Sequence, residues 1–174
     1  MDMGKFKDAN RRKEMIKIFI SHKFEDREIA VMIQKTLKNE GVEVYLDTLD
    51  DEVSENGEKL TKHIRQKLTE CTDVIVLLSS RTKESWWVPF EIGMATEKDM
   101  PIANYLVSAE KLPEYLEFWP RLKNQHDVKK YVEVKREVRF AVRREKMLNE
   151  GYYQRVDNGI SETQRFYEEL KKKL

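Results

Sequence analysis

Trp87 and Glu91 are the two residues whose types and spacing best fit a chemical site. They stand four positions apart in a segment with helical periodicity, so their side chains share one helix face about one turn apart. A flat aromatic ring can bind a planar group, and a carboxylate beside it can stabilise positive charge that develops during a reaction. The pair is a candidate site if the fold places it where ligands bind.

A buried strand and a short polar loop precede this pair. Asp73 to Ser79 is an apolar run, too short for a helix and rich in β-branched residues, which predicts a strand buried on both faces. The loop from Ser80 to Glu84 leads into a predicted helix from Ser85 to Lys98. The apolar residues that indicate this helix are Trp87, Phe90, Met94 and Ala95. In open α/β sheets the loop after a strand's carboxyl end lies at the ligand-binding edge.

The chain before this stretch alternates strands and helices. A strand is predicted at Ile16 to His22, then a helix with Ile29, Ile33 and Leu37 inward and Gly41 just after its end. A second strand covers Val42 to Leu46. The next helix is indicated by apolar residues at every fourth position, namely Leu60, Ile64 and Leu68. The loop between them, Asp47 to Asn56, exceeds the usual ~2–6 residues, and long loops in compact domains are often functional.

The chain after the candidate pair predicts a fourth strand at Pro101 to Val107 and a short helix at Pro113 to Trp119. From Gln125 a helix to Asn149 fits the apolar spacing better than a strand around Val132, and Ser161 with Gln164 indicates the capping box of a last helix. The sum is a doubly wound, flavodoxin-like α/β sandwich with four or five parallel strands and helices on both faces. We divide it into an N-terminal arm (1–14), a core (15–122) and a C-terminal helical part of the same domain (123–174).

Composition restricts the classes of partner. The 33 basic and 32 acidic residues leave a net charge of +1, which gives no global field for nucleic acid or an anionic membrane. No apolar run approaches the ~18 residues of a membrane span. A single cysteine, Cys71, excludes an internal disulfide and fits the reducing cytosol, so a cytoplasmic location is predicted. The three histidines and this cysteine are too far apart in sequence for a zinc site.

The spacing around the candidate pair resembles the TIR domain family. In that family a strand ending in Ser is followed by a loop, a Ser-x-Trp and a Glu four residues after the Trp, which Ser79, Ser85, Trp87 and Glu91 match. Three further segments resemble TIR segments in the right order: IKIFISH with FEDRE, VEVYLD ending at Asp47, and GEKLTKHIRQKL from Gly57. The resemblance covers roughly Met15 to Trp119.

This resemblance implies two classes of function. One is a non-catalytic adaptor that acts by TIR–TIR assembly, and the other is an enzyme that cleaves the nicotinamide–ribose bond of NAD⁺. In the second class NAD⁺ is the substrate, no separate cofactor is expected, and Glu91 matches the catalytic glutamate. The compact build is similar to TIR proteins of prokaryotic antiviral systems such as Thoeris, in which a cyclic ADP-ribose variant or other ADP-ribose product acts on a separate effector. A nucleoside deoxyribosyltransferase is a rival reading, because it also places a carboxylate at a ribose on this architecture.

The resemblance also suggests substrate-binding residues, each with a structural alternative. Trp87 matches the residue that shapes the nicotinamide side, but it could equally be core. Ser85 is as well explained as a helix N-cap. The positions that hold the dinucleotide in other TIR enzymes correspond here to His22, Lys23 and Phe24 and to the loop from Asp47 to Gly57, and the motif residue Ser79 is a further candidate for substrate binding. Glu91 itself has a plain alternative as a surface carboxylate near a helix N-terminus.

Other chemistries on this architecture lack their residues. A receiver domain needs acidic residues at the ends of the first and third strands, where this chain has Ser21-His22 and Ser79-Ser80. No glycine-rich phosphate loop follows the first strand, which argues against Rossmann and nucleoside-triphosphatase functions.

Overall fold

A single parallel sheet forms the centre of the computed structural model, which describes residues 15–46, 57–84, 87–108, 114–149 and 161–174. Its five strands stand in the order β2-β1-β3-β4-β5, and every neighbouring pair is parallel. The strands are β1 (Lys17–Ser21), β2 (Glu43–Leu46), β3 (Asp73–Leu78), β4 (Ile102–Leu106) and β5 (Arg121–Leu122). The predicted doubly wound, flavodoxin-like fold is confirmed.

Helices cover both faces of this sheet. They are α1 (Arg27–Asn39), α2 (Gly57–Glu70), α3 (Trp87–Glu97), α4 (Gln125–Asn149) and α5 (Glu162–Lys173). The described ranges also contain short 3₁₀ turns at Phe24–Asp26, Ser80–Glu84 and Glu114–Leu116. None of the helices in the described ranges combines the length and the apolar character that crossing a bilayer requires.

Alternation along the strands divides the core into two layers. In β1, Ile18 and Ile20 pack into the layer beneath α1, α4 and α5, whereas Phe19 packs into the layer beneath α2 and α3. In the central strand β3 all six residues are buried, as expected for a parallel strand covered on both faces. The candidate site therefore belongs to the α2–α3 layer, since α3 carries Glu91.

The strand order places a topological switch point between β1 and β3. From β1 the chain crosses to β2 on one side, and from β2 it crosses back to β3 on the other side. The connections leaving the carboxyl ends of β1 and β3 therefore diverge and leave a crevice, where ligands bind in doubly wound sheets. Ser21 and Leu78 end these two strands.

Helix ends follow the chemistry that the sequence predicted. Gly41, directly after α1, has a φ of +70°, a conformation that glycine adopts without strain. The Ser161 hydroxyl caps α5 by accepting a hydrogen bond from the Gln164 N–H at 3.1 Å. Phe166 and Leu170 of α5 are fully buried, as predicted.

The C-terminal third differs from the prediction in two places. A helix was predicted from Pro113 to Trp119. Pro113 lies outside the described residues, and residues 114–119 contain only the 3₁₀ turn Glu114–Leu116, with the two-residue strand β5 after it. The alternative strand around Val132 is wrong, because Gln125–Asn149 is one continuous helix whose apolar residues repeat at helical spacing. The buried residues of that helix include Val128, Tyr131, Val134 and Val138.

A buried charge network joins α4 to the amino end of β3. Asp73 is fully buried and accepts hydrogen bonds from the Thr72 hydroxyl at 2.5 Å and the Tyr131 hydroxyl at 2.8 Å. The ammonium group of Lys135 lies 2.9 Å from the same carboxylate and 4.8 Å from the centre of the Phe166 ring. The network fixes the C-terminal helices on the central strand.

Candidate functional site

Glu91 lies on the buried face of α3. Val88, Glu91, Ile92 and Ala95, which are spaced as i, i+3, i+4 and i+7, are exposed by only 2%, 3%, 3% and 0%. Val88, Ile92 and Ala95 pack into the layer between α3 and the sheet, so Glu91 faces that layer too. The alternative of a surface carboxylate is therefore wrong.

The buried face of α3 differs from the one the sequence predicted. Phe90 was expected to face inward, but it is 37% exposed, and Met94 is only partly buried. The reason is composition: residues 87–95 are apolar almost all round the helix, so periodicity alone does not select one face. Sheet packing selects the face that carries Glu91.

Ser79 follows β3 and joins it to the turn after β1. Its hydroxyl donates to Asp26 Oδ2 at 2.5 Å and accepts from the Arg81 N–H at 3.2 Å. Arg81 Nη1 donates to Asp26 Oδ1 at 3.2 Å and to the Glu25 carbonyl at 3.1 Å. This network holds together the two connections that flank the crevice, and it gives Ser79 a structural partner.

The residues after β1 lie at the same edge. His22 is 8% exposed, with Nδ1 3.4 Å from the Ile20 carbonyl oxygen. The ammonium group of Lys23 lies 3.4 Å from Glu25, and a backbone hydrogen bond of Glu25 itself, together with this lysine, lowers the pKa of the Glu25 carboxyl. Phe24 is 43% exposed and lines an open cavity of about 530 Å³ with Glu25, Arg27, Glu28 and Val31.

Three of the predicted site residues are described in part or not at all. Asp47 and Ser85 lie outside the described residues, and so does the side chain of Trp87, whose backbone begins α3. The structure brings Ser79, His22, Lys23 and Phe24 to the switch-point edge, and it places Glu91 on the helix that follows β3. The substrate-binding role of each remains a prediction.

Two further residues at this edge were not singled out from the sequence. Asp26 is 2% exposed although it is charged, and it receives the hydrogen bonds of Ser79 and Arg81. Ser21 is fully buried and its Oγ has no hydrogen-bond partner. The alternation of β1 could have indicated the face of Ser21, because it is two residues after Phe19.

Metal binding has no support in the described ranges. These ranges contain no group of three or more His, Cys, Asp or Glu side chains placed to hold one ion.

The strand order defines a doubly wound α/β domain. Its candidate site lies at the carboxyl ends of the strands, where the helix that carries the buried Glu91 follows β3. A sequence model of the TIR domain matches residues 18–148, and the chain belongs to the TIR domain family. This match includes β1 through α4 and both Ser79 and Glu91.

One curated relative has a described activity. The chain is 26% identical over 80 residues to "Probable 3′ cyclic ADP-D-ribose synthase ThsB′" of Bacillus cereus (strain MSX-D12). The alignment covers 44% of this chain and 41% of the relative's length. The matched part is thus less than half of that protein.

Solved structures confirm the fold. The TIR domain of the Toll-related receptor TRR-2 from Hydra magnipapillata matches with a TM-score of 0.50 at 16% identity, over 60% of this chain and 82% of that chain. A 2-deoxyribosyltransferase from Bacillus psychrosaccharolyticus matches with a TM-score of 0.53 at 13% identity, over 64% of this chain and 89% of the other. At these identities the likeness concerns the fold alone.

Proposed function

We propose that this chain is a TIR enzyme that cleaves the nicotinamide–ribose bond of NAD⁺, with Glu91 as its catalytic carboxylate. The observation that carries the proposal is the 3% exposure of Glu91 on the sheet-facing side of α3, the helix that leaves the switch-point edge. The name of the Bacillus cereus relative, a cyclic ADP-ribose synthase, supports the same class of substrate.

Burial of a carboxylate in an apolar layer is energetically unfavourable. Moving a charged group out of water costs several kcal/mol even after relaxation. Three of the neighbours of Glu91 on its helix face are Val88, Ile92 and Ala95, which are apolar. Buried ionisable groups in unusual environments are frequent at functional sites, and this supports a chemical role for Glu91.

The reaction suits a single carboxylate. The C–N bond breaks with its electron pair going to the pyridinium nitrogen, so nicotinamide leaves neutral and needs no general acid. An ordinary glycosidase needs a second carboxylate for that protonation. The ribose becomes an oxocarbenium-like cation, and a negative charge beside it, in a site with little water, stabilises the transition state. Glu91 has the charge for this role and the low exposure that strengthens it.

Capture of the ribose cation decides the product. Addition of water gives ADP-ribose and releases one proton, whereas attack by a nucleophile of the same molecule gives a cyclic ADP-ribose. We propose that the product is a signal of this ADP-ribose type, made in the cytoplasm in antiviral defence and received by a separate effector. Self-association through TIR–TIR contacts belongs to the same proposal.

The remaining contacts follow the family pattern as proposals. Trp87 would shape the nicotinamide side, one turn before Glu91. Lys23 would face a phosphate and Phe24 would stack on adenine, with His22 beside them. The exposure of Phe24 and the position of all three directly after β1 support this arrangement. Asp47, Ser79 and Ser85 would complete the binding residues, and the Asp26 contact of Ser79 gives that residue a second role.

The test is nicotinamide release from NAD⁺ by the purified chain, at high protein concentration and with a crowding agent. Glu91→Gln keeps the shape of the side chain and removes its charge, so we expect the rate to fall by about 10²–10³-fold. Glu97→Gln is the matched control, because Glu97 lies on the same helix and is exposed. It should leave the rate unchanged.

The outcomes separate the candidate functions. Equal rates for the wild type and Glu91→Gln would remove Glu91 from the mechanism. Absence of nicotinamide from the wild type under these conditions would contradict the enzyme and favour a TIR adaptor. Exchange of bases on a deoxynucleoside, without cleavage of NAD⁺, would favour deoxyribosyltransferase-like chemistry. The mass of the product distinguishes ADP-ribose from its cyclic form by one water.

A further inference from the structure

Ser21 carries the least satisfied buried polar side chain in the part of the chain that the structure describes. Two buried side-chain atoms there lack a hydrogen-bond partner, Ser21 Oγ and Asn104 Oδ1. Asn104 still uses its amide group, which donates to the Leu116 carbonyl at 2.6 Å. Ser21 has only its hydroxyl, which can both donate and accept and here does neither. A buried unsatisfied group in a native protein calls for a specific explanation.

Ser21 lies on the side of the sheet that Glu91 faces. Ser21 is the last residue of β1, at the switch point, and pairs in register with Val76 of β3. It lies on the same face of β1 as Phe19, so it faces the layer between the sheet and the α2 and α3 helices. Glu91 enters that layer from α3. The unpaired hydroxyl and the buried carboxylate therefore face the same layer from opposite sides.

Ser21 is buried at the end of its strand and not in the middle of it. The chain leaves the sheet directly after it, and Phe24, three residues later, is already 43% exposed. Ser21 is itself fully buried, but a ligand in the crevice at the switch point would lie against the end of β1, so the Ser21 hydroxyl is closer to that crevice than a hydroxyl in the middle of the strand would be.

We propose that Ser21 binds the substrate beside Glu91 by hydrogen-bonding a hydroxyl of the ribose that loses its base. This inference rests on the proposed function. A sugar hydroxyl is both donor and acceptor, so it matches the serine hydroxyl in either direction. Ser21 adds no charge, so it orients the sugar while Glu91 alone stabilises the cation. The missing partner in the free protein is then supplied by the substrate.

The unsatisfied hydroxyl of Ser21 should lower the stability of the free protein. If the hydroxyl is unsatisfied in the free protein, Ser21→Ala removes an unfavourable group and raises Tm, by about 2–4 °C for a chain of this size. The matched control is Ser79→Ala, the same substitution at the end of β3. The Ser79 hydroxyl donates to Asp26 and accepts from Arg81, so its loss must lower Tm. The two serines thus respond with opposite signs.

The experiment measures Tm of the wild type and both variants without ligand, and then the KM and kcat of nicotinamide release for wild type and Ser21→Ala. We expect Ser21→Ala to raise Tm and to raise the KM for NAD⁺ about tenfold, with a smaller change in kcat, because one neutral hydrogen bond to the substrate is lost. A purely structural serine would not raise Tm and KM together.

Two results would overturn the proposal while the proposed function stands: an unchanged KM in an active Ser21→Ala variant, or a fall in Tm like that of Ser79→Ala, which would mean that an internal water satisfies the hydroxyl. A wild-type chain that does not cleave NAD⁺ overturns the proposed function instead, and the ligand assigned to Ser21 with it. The Tm comparison still reports whether the hydroxyl is unsatisfied.

Discussion

Two fully buried polar residues, Asp73 at the amino ends of the strands (the amino edge) and Ser21 at their carboxyl ends (the carboxyl edge), differ in their hydrogen-bond partners. At the amino edge, Asp73 has both carboxylate oxygens occupied, by Thr72 on one and by Tyr131 and Lys135 on the other. At the carboxyl edge, Ser21 Oγ has no hydrogen-bond partner, although Ser21 is as fully buried as Asp73. Asp73 and Ser21 are equally buried. They therefore differ in whether their polar atoms have hydrogen-bond partners.

Buried polar groups that have all their partners should differ in role from those that lack one. A fully connected buried network stabilises one arrangement of the chain, because any other arrangement leaves a charge unpaired. An incomplete set of polar groups weakens the free protein and is a natural place for a ligand to bind. Mutation of the Asp73 network at the amino edge, like mutation of Ser79 at the carboxyl edge, should then lower stability, whereas mutation of Ser21 should change activity.

The largest effect is expected at the amino edge, from Lys135→Met. Methionine keeps much of the volume but removes the charge, and it leaves Asp73 buried without its cation. Breaking a buried pair in this way costs about 3–5 kcal/mol of unfolding free energy. Urea unfolding measures it, with Lys129→Met, an exposed lysine on the same helix, as the control. A loss below about 1 kcal/mol would show that the amino edge does not depend on its charge pair.

Alkaline pH should weaken the same edge. Burial raises the pKa of Tyr167 to about 12, and burial together with the Asp73 charge raises the pKa of Tyr131 well above its ordinary value of 10. The folded state therefore holds these protons more tightly than the unfolded state. Their stabilisation is complete below pH 10 and is lost as the pH rises toward 12.

For Tyr167 this loss amounts to about 2–3 kcal/mol, which corresponds to the rise of its pKa from the ordinary value of 10 to about 12. Urea unfolding at a series of pH values between 9 and 12 measures it. Tyr167→Phe should reduce the slope over this range. A stability that stays constant to pH 12 would show that the phenols are not held in their protonated form.

The thiol of Cys71, two residues before Asp73, should be unreactive. Burial raises the pKa of this thiol to about 11, so little thiolate exists at neutral pH. We expect alkylation by iodoacetamide to be at least about tenfold slower in the native protein than in denaturant. Similar rates in both states would mean that the amino edge opens readily.

The smallest effect on stability is expected at the carboxyl edge, from Glu91→Gln. Glutamine keeps the size and one carbonyl oxygen of the side chain, so the unfolding free energy should stay within about 1 kcal/mol of the wild type at pH 7, even though activity is lost. Glu97→Gln, on the exposed side of α3, should stay within about 0.5 kcal/mol of the wild type. A loss of several kcal/mol in Glu91→Gln would place Glu91 with Asp73 among the structural groups and remove the contrast between the edges.

Local features of the fold were predictable because they depend on neighbours in sequence. The inward face of α1, the buried run of β3, the glycine after α1 and the cap of α5 all follow from residue spacing. The strand β5 was not located, since two residues carry no periodicity. The predicted buried face of α3 was wrong because the helix carries apolar residues on nearly all sides.

The polar contacts of the site were beyond sequence reasoning for a different reason. Asp26 and Ser79 are 53 residues apart, and Asp73 and Tyr131 are 58 apart. Such contacts depend on how the strands and helices pack, and no local sequence pattern predicts them. The family spacing did identify Glu91 as a candidate, but its low exposure and the unpaired Ser21 appear only in three dimensions.

The Asp73 network also decides how short this chain can become. A protein ending at β5 would keep all five strands, yet the buried Asp73 carboxylate would keep the Thr72 hydroxyl and lose its cation and its phenol, because Tyr131 and Lys135 come from the helix that follows. A minimal version of this domain therefore has to retain that helix or exchange Asp73 for an apolar residue in the same step.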